Sequence, residues 1–120
     1  MPRILICDDS SFMRMILKKL LIEKGHEVVA EAGDGKHAVQ LYRQHKPDLV
    51  TMDITMPVMD GIQAVKHIHE EDPFARIVMV TAIGQRSIIT EAIKAGASSF
   101  IIKPFDPGQV EETINKVLAG

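Results

Sequence analysis

Two adjacent carboxylates, Asp8 and Asp9, a third at Asp53, a hydroxyl at Thr81 and an ammonium at Lys103 are spread over most of the chain. Each stands at or just past the end of a short apolar run: residues 4–7, 49–52, 77–80 and 100–102. Were the three acids to meet in one crevice they would repel, because two unit charges about 4 Å apart interact by roughly 4 kcal/mol at an effective dielectric of 20. A cation must offset that repulsion. All-oxygen ligation by few protein groups is the preference of Mg2+, above all where phosphate oxygens complete the octahedron. With an ammonium and a hydroxyl opposite, such a site can receive a phosphoryl group: the metal and Lys103 balance charge on the transferred oxygens while Asp53 supplies the in-line nucleophile. The residues therefore predict Mg2+-dependent phosphorylation of Asp53.

That chemistry requires elements able to bring the five positions together. Apolar runs at 4–7, 28–30, 49–52, 77–80 and 100–102 are continuous rather than alternating, the pattern of parallel strands covered by helices on both faces. Between them apolar residues recur at helical spacing, as in Phe12, Ile16 and Leu20 with Met13, Leu17 and Leu21 alongside, and again in Val110, Ile114, Val117 and Leu118. Gly25 and Gly96 stand where a helix C-terminus wants a left-handed residue, and Pro47 and Pro73 stop two more helices. Asp106, Pro107 and Gln109 make a start signal with capping-box spacing for the last one.

A strand and a helix repeated five times imply right-handed crossovers and a doubly wound α/β sandwich, a five-stranded parallel sheet of order 2-1-3-4-5 with flavodoxin-like layers. In such a sheet ligands bind outside the carboxyl ends of the strands, where the strand order reverses. Here that point lies between the first and third strands, whose ends carry Asp8, Asp9 and Asp53.

Composition narrows the class. The 120 residues are 46% hydrophobic and 25% charged, the balance of one ordinary globular domain spanning 1–120. With 14 Lys and Arg against 16 Asp and Glu, net charge −2 and no Trp, nucleic acid is disfavoured as a partner. No segment is long enough for a signal core or a membrane span, and the single cysteine, Cys7, forms no internal disulfide, so a cytoplasmic monomer is the expectation.

Other local patterns have plainer explanations. Gly33, Gly35 and Ala38 imitate a dinucleotide fingerprint, but that belongs after the first strand, so a tight turn into the second helix is expected instead. The histidines at 26, 37, 45, 67 and 69 contain no pair at i+4 and suggest no metal cluster. Cys7 reads as a buried strand residue, while Met56 and Met59, flanking the site loop, are expected to be partly exposed.

Together Asp8-Asp9, the string Met52-Asp53-Ile54-Thr55-Met56-Pro57 with Asp60-Gly61, Thr81-Ala82 and Lys103-Pro104-Phe105 resemble the receiver domain of two-component response regulators across the whole chain. The resemblance implies that Asp53 is the phosphoacceptor and that Asp9, Asp53 and the Thr55 carbonyl ligate Mg2+ directly, with Asp8 acting through water. It further implies that Lys103 contacts the phosphoryl group, that Thr81 is the switch hydroxyl, and that the Lys103-Pro104 bond is cis. Phe100 stands where the family places a switch aromatic, often Tyr, and has no hydroxyl.

Phe12-Met13-Arg14-Met15 and Glu91-Ala92-Ile93-Lys94-Ala95-Gly96-Ala97 resemble the chemotaxis branch of that family in its Gram-positive and thermophile form. For that branch the implied phosphodonor is a histidine kinase, the implied target a flagellar motor switch protein, and a phosphatase is a further implied partner. A phosphorylated Asp53 would draw Thr81 toward it and free space for Phe100, carrying the signal to the face of the fourth helix, fifth strand and fifth helix. The alternatives are a phosphorelay shuttle and a small Mg2+-dependent aspartyl phosphatase. Thr55, where haloacid-dehalogenase hydrolases place a second acid, argues against the phosphatase. A flavin site is opposed by Asp8-Asp9, which would repel its phosphate.

Overall fold

Alternate residues of the first strand part into two cores, and this division sets the architecture. In the computed structural model, which describes residues 1–120, β1 (Arg3–Cys7) sends Leu5 and Cys7 into one apolar cluster and Ile4 and Ile6 into another. All four are fully or almost fully buried, as the period of two requires of a strand covered on both sides.

The chain then runs α1 (Ser11–Glu23), β2 (Glu27–Ala32), α2 (Gly35–His45), β3 (Leu49–Met52), α3 (Gly61–Glu71), β4 (Ile77–Thr81), α4 (Arg86–Ala95), β5 (Ser99–Ile102) and α5 (Pro107–Ala119). The strands form one parallel sheet of order β2-β1-β3-β4-β5, as expected. Leu17 and Leu21 of α1 and Val110 and Ile114 of α5 fill one side with Ile4, Ile6, Val78 and Val80. Residues of α2, α3 and α4, among them Ala38, Val65, Ile68 and Ala92, fill the other with Leu5, Val50 and Met79.

Burial on both faces holds for β1, β3 and β4 but not for the outer strands. β2 is half-buried over most of its length, and Phe100 of β5 is 40% exposed. An edge strand has a neighbour on one side only, so helices packed over the sheet centre cover it incompletely.

Side-chain caps start most of the helices. Ser10, Asp34 and Asp60 accept from the backbone N–H three residues on, at the first turns of α1, α2 and α3. Asp106 caps α5, with Pro107 in its first turn, but accepts from Gly108 rather than taking part in the expected capping box with Gln109. Gly25 and Gly96 take positive φ after α1 and α4, at 87° and 126°. Gly35 makes the turn into α2, and its N–H donates to Met59 O at 2.9 Å, which joins that turn to the loop after β3.

Candidate functional site

Asp8, Asp9 and Asp53 leave the sheet side by side because β1 and β3 are paired neighbours at the place where strand order reverses. The ladder continues past the strands: the Asp53 N–H donates to Cys7 O at 2.9 Å, and the Asp8 N–H donates to Ala32 O at 3.0 Å. One carboxylate oxygen from each acid lies within 4.8 Å of the others. Asp8 and Asp53 are buried, whereas Asp9 is exposed.

Lys103 arrives from the end of β5, carried by a bond from its N–H to Thr81 O at 2.8 Å and followed by a cis bond to Pro104. Its ammonium sits 2.6 Å from Asp8 Oδ2 and 3.4 Å from Asp53 Oδ2, with all three side chains largely withdrawn from water. The remaining oxygens are held by backbone: Ser10 N–H donates to Asp8 Oδ1 at 2.9 Å and Ile54 N–H to Asp53 Oδ1 at 2.8 Å. Burial pushes the Asp53 carboxyl above its ordinary range, Asp8 adds to the effect, and Lys103 and the Ile54 N–H work against it.

These oxygens fit a hard divalent cation. Three carboxylates converge in one small space with a single ammonium shared between two of them, so negative charge remains in excess. Such a cation would supply charge balance to a phosphoryl group on Asp53.

Two further predicted residues share this edge. Thr55 is exposed in the loop after Asp53. Thr81 is buried at the end of β4, its hydroxyl accepting from Ile83 N–H at 3.1 Å. Phe100 lies one strand further out, opposite Met79, with its ring partly in solvent. Cys7 is buried as expected, and burial pushes its thiol far above the ordinary range, with Asp8 adding to the effect. Met59 is partly exposed, but Met56 is buried, because the loop folds back over the α2–α3 side of the sheet and adds it to that core.

Two supporting residues were not legible as such. The Gly61 N–H donates to Ile54 O at 2.8 Å, and a Cβ there would stand 1.9 Å from Asp53 O, so only glycine lets α3 start against the backbone of Asp53. Arg14, one turn into α1, donates to Asp8 O and to Glu31 Oε1. Its sequence signals are its place one turn beyond the acid pair and its membership of the Phe12-Met13-Arg14-Met15 string, neither of which points to a contact with Asp8.

Comparison with known proteins agrees with this geometry. The family described as response regulator receiver domain matches residues 4–115. The chemotaxis protein CheY of Bacillus subtilis (strain 168) is 58% identical over 116 residues, 97% of either chain, and CheY of Thermotoga maritima is 54% identical over 115 residues, 96% of either chain. The crystal structure of the CheX-CheY-BeF3-Mg2+ complex from Borrelia burgdorferi superposes with a TM-score of 0.93 at 38% identity, over 96% of this chain and 87% of that one. A doubly wound sheet whose switch point gathers three acids, two of them paired with a lysine, and a match along nearly its full length, place the chain in the response regulator receiver-domain family, where it is CheY-like.

Proposed function

We propose that this chain is a phospho-accepting switch of a two-component chemotaxis system in which Asp53 takes a phosphoryl group from a histidine kinase. The observation that carries the reading is the ammonium of Lys103 reaching both Asp8 and Asp53 while Asp9 completes the acid cluster. An Asp53 carboxylate oxygen attacks phosphorus, the bond from phosphorus to the donor imidazole nitrogen breaks, and an acyl phosphate remains on Asp53. Lys103 neutralises charge on the transferred oxygens, and Asp9, Asp53 and the Thr55 carbonyl would hold Mg2+ directly, with Asp8 acting through water.

Thr81 and Phe100 are the switch pair in this reading. Phe100 and Ile93, 40% and 42% exposed, give the side of the molecule formed by α4 and β5 an apolar surface for a target, here a flagellar motor switch protein. A CheX-like protein is a second proposed partner, on the likeness to the CheY held in complex with CheX. The chain acts in the cytoplasm as one receiver domain over 1–120, a monomer that transforms only itself. No helix is long and apolar enough to cross a membrane.

Incubation with a small phosphodonor and Mg2+ tests the proposal. One equivalent of acid-stable, alkali-labile phosphate should form and be lost in Asp53→Asn, and beryllofluoride should strengthen binding to a flagellar switch peptide. Many turnovers of a phosphomonoester would instead identify an aspartyl phosphatase. Phosphate passed on to a second histidine protein, with no peptide binding, would identify a phosphorelay shuttle.

A further inference from the structure

The carboxylates of Asp8 and Asp53 are each held by hydrogen bonds, but Asp9 is exposed and its carboxylate accepts no hydrogen bond and joins no ion pair. Its membership of the acid cluster is therefore set by backbone. The peptide linking Asp8 to Asp9 is anchored at its carbonyl, which accepts from Arg14 Nη1. Pinning that carbonyl fixes where the peptide, and with it the Cα of Asp9, sits against α1, so a shift of the loop would carry the Asp9 carboxylate away from Asp8 and Asp53.

Arg14 is itself anchored at its other end. Its Nε donates to Glu31 Oε1 at 3.3 Å, Lys18 one turn along α1 reaches Glu31 Oε2 at 3.5 Å, and the Arg14 side chain is only 21% exposed. The guanidinium thus ties the loop after β1 to strand β2, a two-ended grip that a planar fork of donors can make and an ammonium cannot.

We infer that Arg14 is a positioning residue of the acid pocket, holding the Asp8–Asp9 peptide in the place that presents Asp9 to a divalent cation. The inference rests on the reading of Asp8, Asp9 and Asp53 as a cation site. Its sign is distinctive. Arg14 is a positive charge near that site, so removing it as a mere bystander would relieve repulsion and tighten Mg2+ binding. Removing it as a positioning group weakens binding instead. Outer partners that orient metal ligands typically change affinity by about 10–100-fold when lost.

The test measures Mg2+ affinity by calorimetric titration of the full chain, beside thermal melting in EDTA and the Asp9 amide resonance of the metal-free protein. Arg14→Gln is expected to weaken Mg2+ binding by about 10-fold or more and to shift the Asp9 amide, and Arg14→Lys to recover part of the affinity. Glu31→Gln, which leaves the Asp8 carbonyl contact available, should lose less, and Lys18→Gln, which frees only the second oxygen of Glu31, should lose least. Should Arg14→Gln fail to fold, the graded pair Glu31→Gln and Arg14→Lys decides. Unchanged or tighter Mg2+ binding in the Arg14 variants, or an equal loss in Lys18→Gln, would overturn the inference. Absence of Mg2+ binding in the parent protein would instead overturn the cation-site reading.

Discussion

Lys103 is tied more closely to Asp8, at 2.6 Å, than to Asp53 at 3.4 Å. Before any phosphoryl group is present, its stronger partner is thus not the proposed acceptor. Removing one member of a buried ion pair leaves the other charge uncompensated, at a cost of about 3 kcal/mol. Lys103→Met should lose stability on that order in EDTA, and Mg2+ should restore a larger share of it than Mg2+ adds to the parent protein. Thermal melts with and without Mg2+ check this, and an identical Mg2+ response in the two proteins would contradict it.

The raised pKa of Asp53 makes its ionised form a load on the fold. Between the ordinary carboxylate pKa and the raised folded value, the native state holds a proton that the unfolded chain has lost. Stability conferred by the protonated group is therefore lost as pH rises through that window, and the deficit persists at neutral pH. Asp53→Asn removes the buried charge and its repulsion with Asp8, so it should raise the melting temperature in EDTA at pH 7 while abolishing phosphorylation. A lower melting temperature would show that Lys103 outweighs burial.

Two substitutions in the loop after β3 should act in opposite directions. Val58 is 79% exposed with φ of 70°, spanned by a bond from Met59 N–H to Pro57 O at 2.7 Å, a three-residue turn that a β-branched side chain disfavours. Val58→Gly should gain about 1 kcal/mol by removing that strain. Gly61→Ala drives a methyl into the Asp53 carbonyl and should cost about 3 kcal/mol, displacing Asp53 as it does so. Denaturant melts give both values, and Mg2+ titration should show weaker binding in Gly61→Ala alone.

His26 gives the fold an acid-sensitive point remote from the site. It is 7% exposed, its Nδ1 has no partner, and burial holds its pKa below 6.5 although Glu111 pulls the other way; the N-terminal amino group lowers it further. The unfolded chain takes up the proton first as pH falls below about 6.5, so the stability His26 confers is complete above that value and is lost toward the lower folded pKa. His26→Leu should flatten the decline of melting temperature across this range. An unchanged slope would assign the decline to other groups.

Much of this molecule could be read one residue at a time. Apolar runs at 4–7 and 77–80, helical spacing through Ile16 and Leu20, Gly25 and Gly96 after helices, and acids at strand ends are local signals, set by backbone sterics and by which atoms avoid water. They were enough to order the strands and to bring Asp8, Asp9, Asp53 and Lys103 to one edge of the sheet. What they could not contain is distance between residues far apart in the chain. That Lys103 leans toward Asp8, that Arg14 grasps the carbonyl behind Asp9, that Met56 turns inward and that β2 and β5 stay half-open depend on where each element lies laterally in the sheet. Only the packing of all ten elements decides that, because the energy of a contact depends on spatial separation, whereas a linear pattern records only separation along the chain.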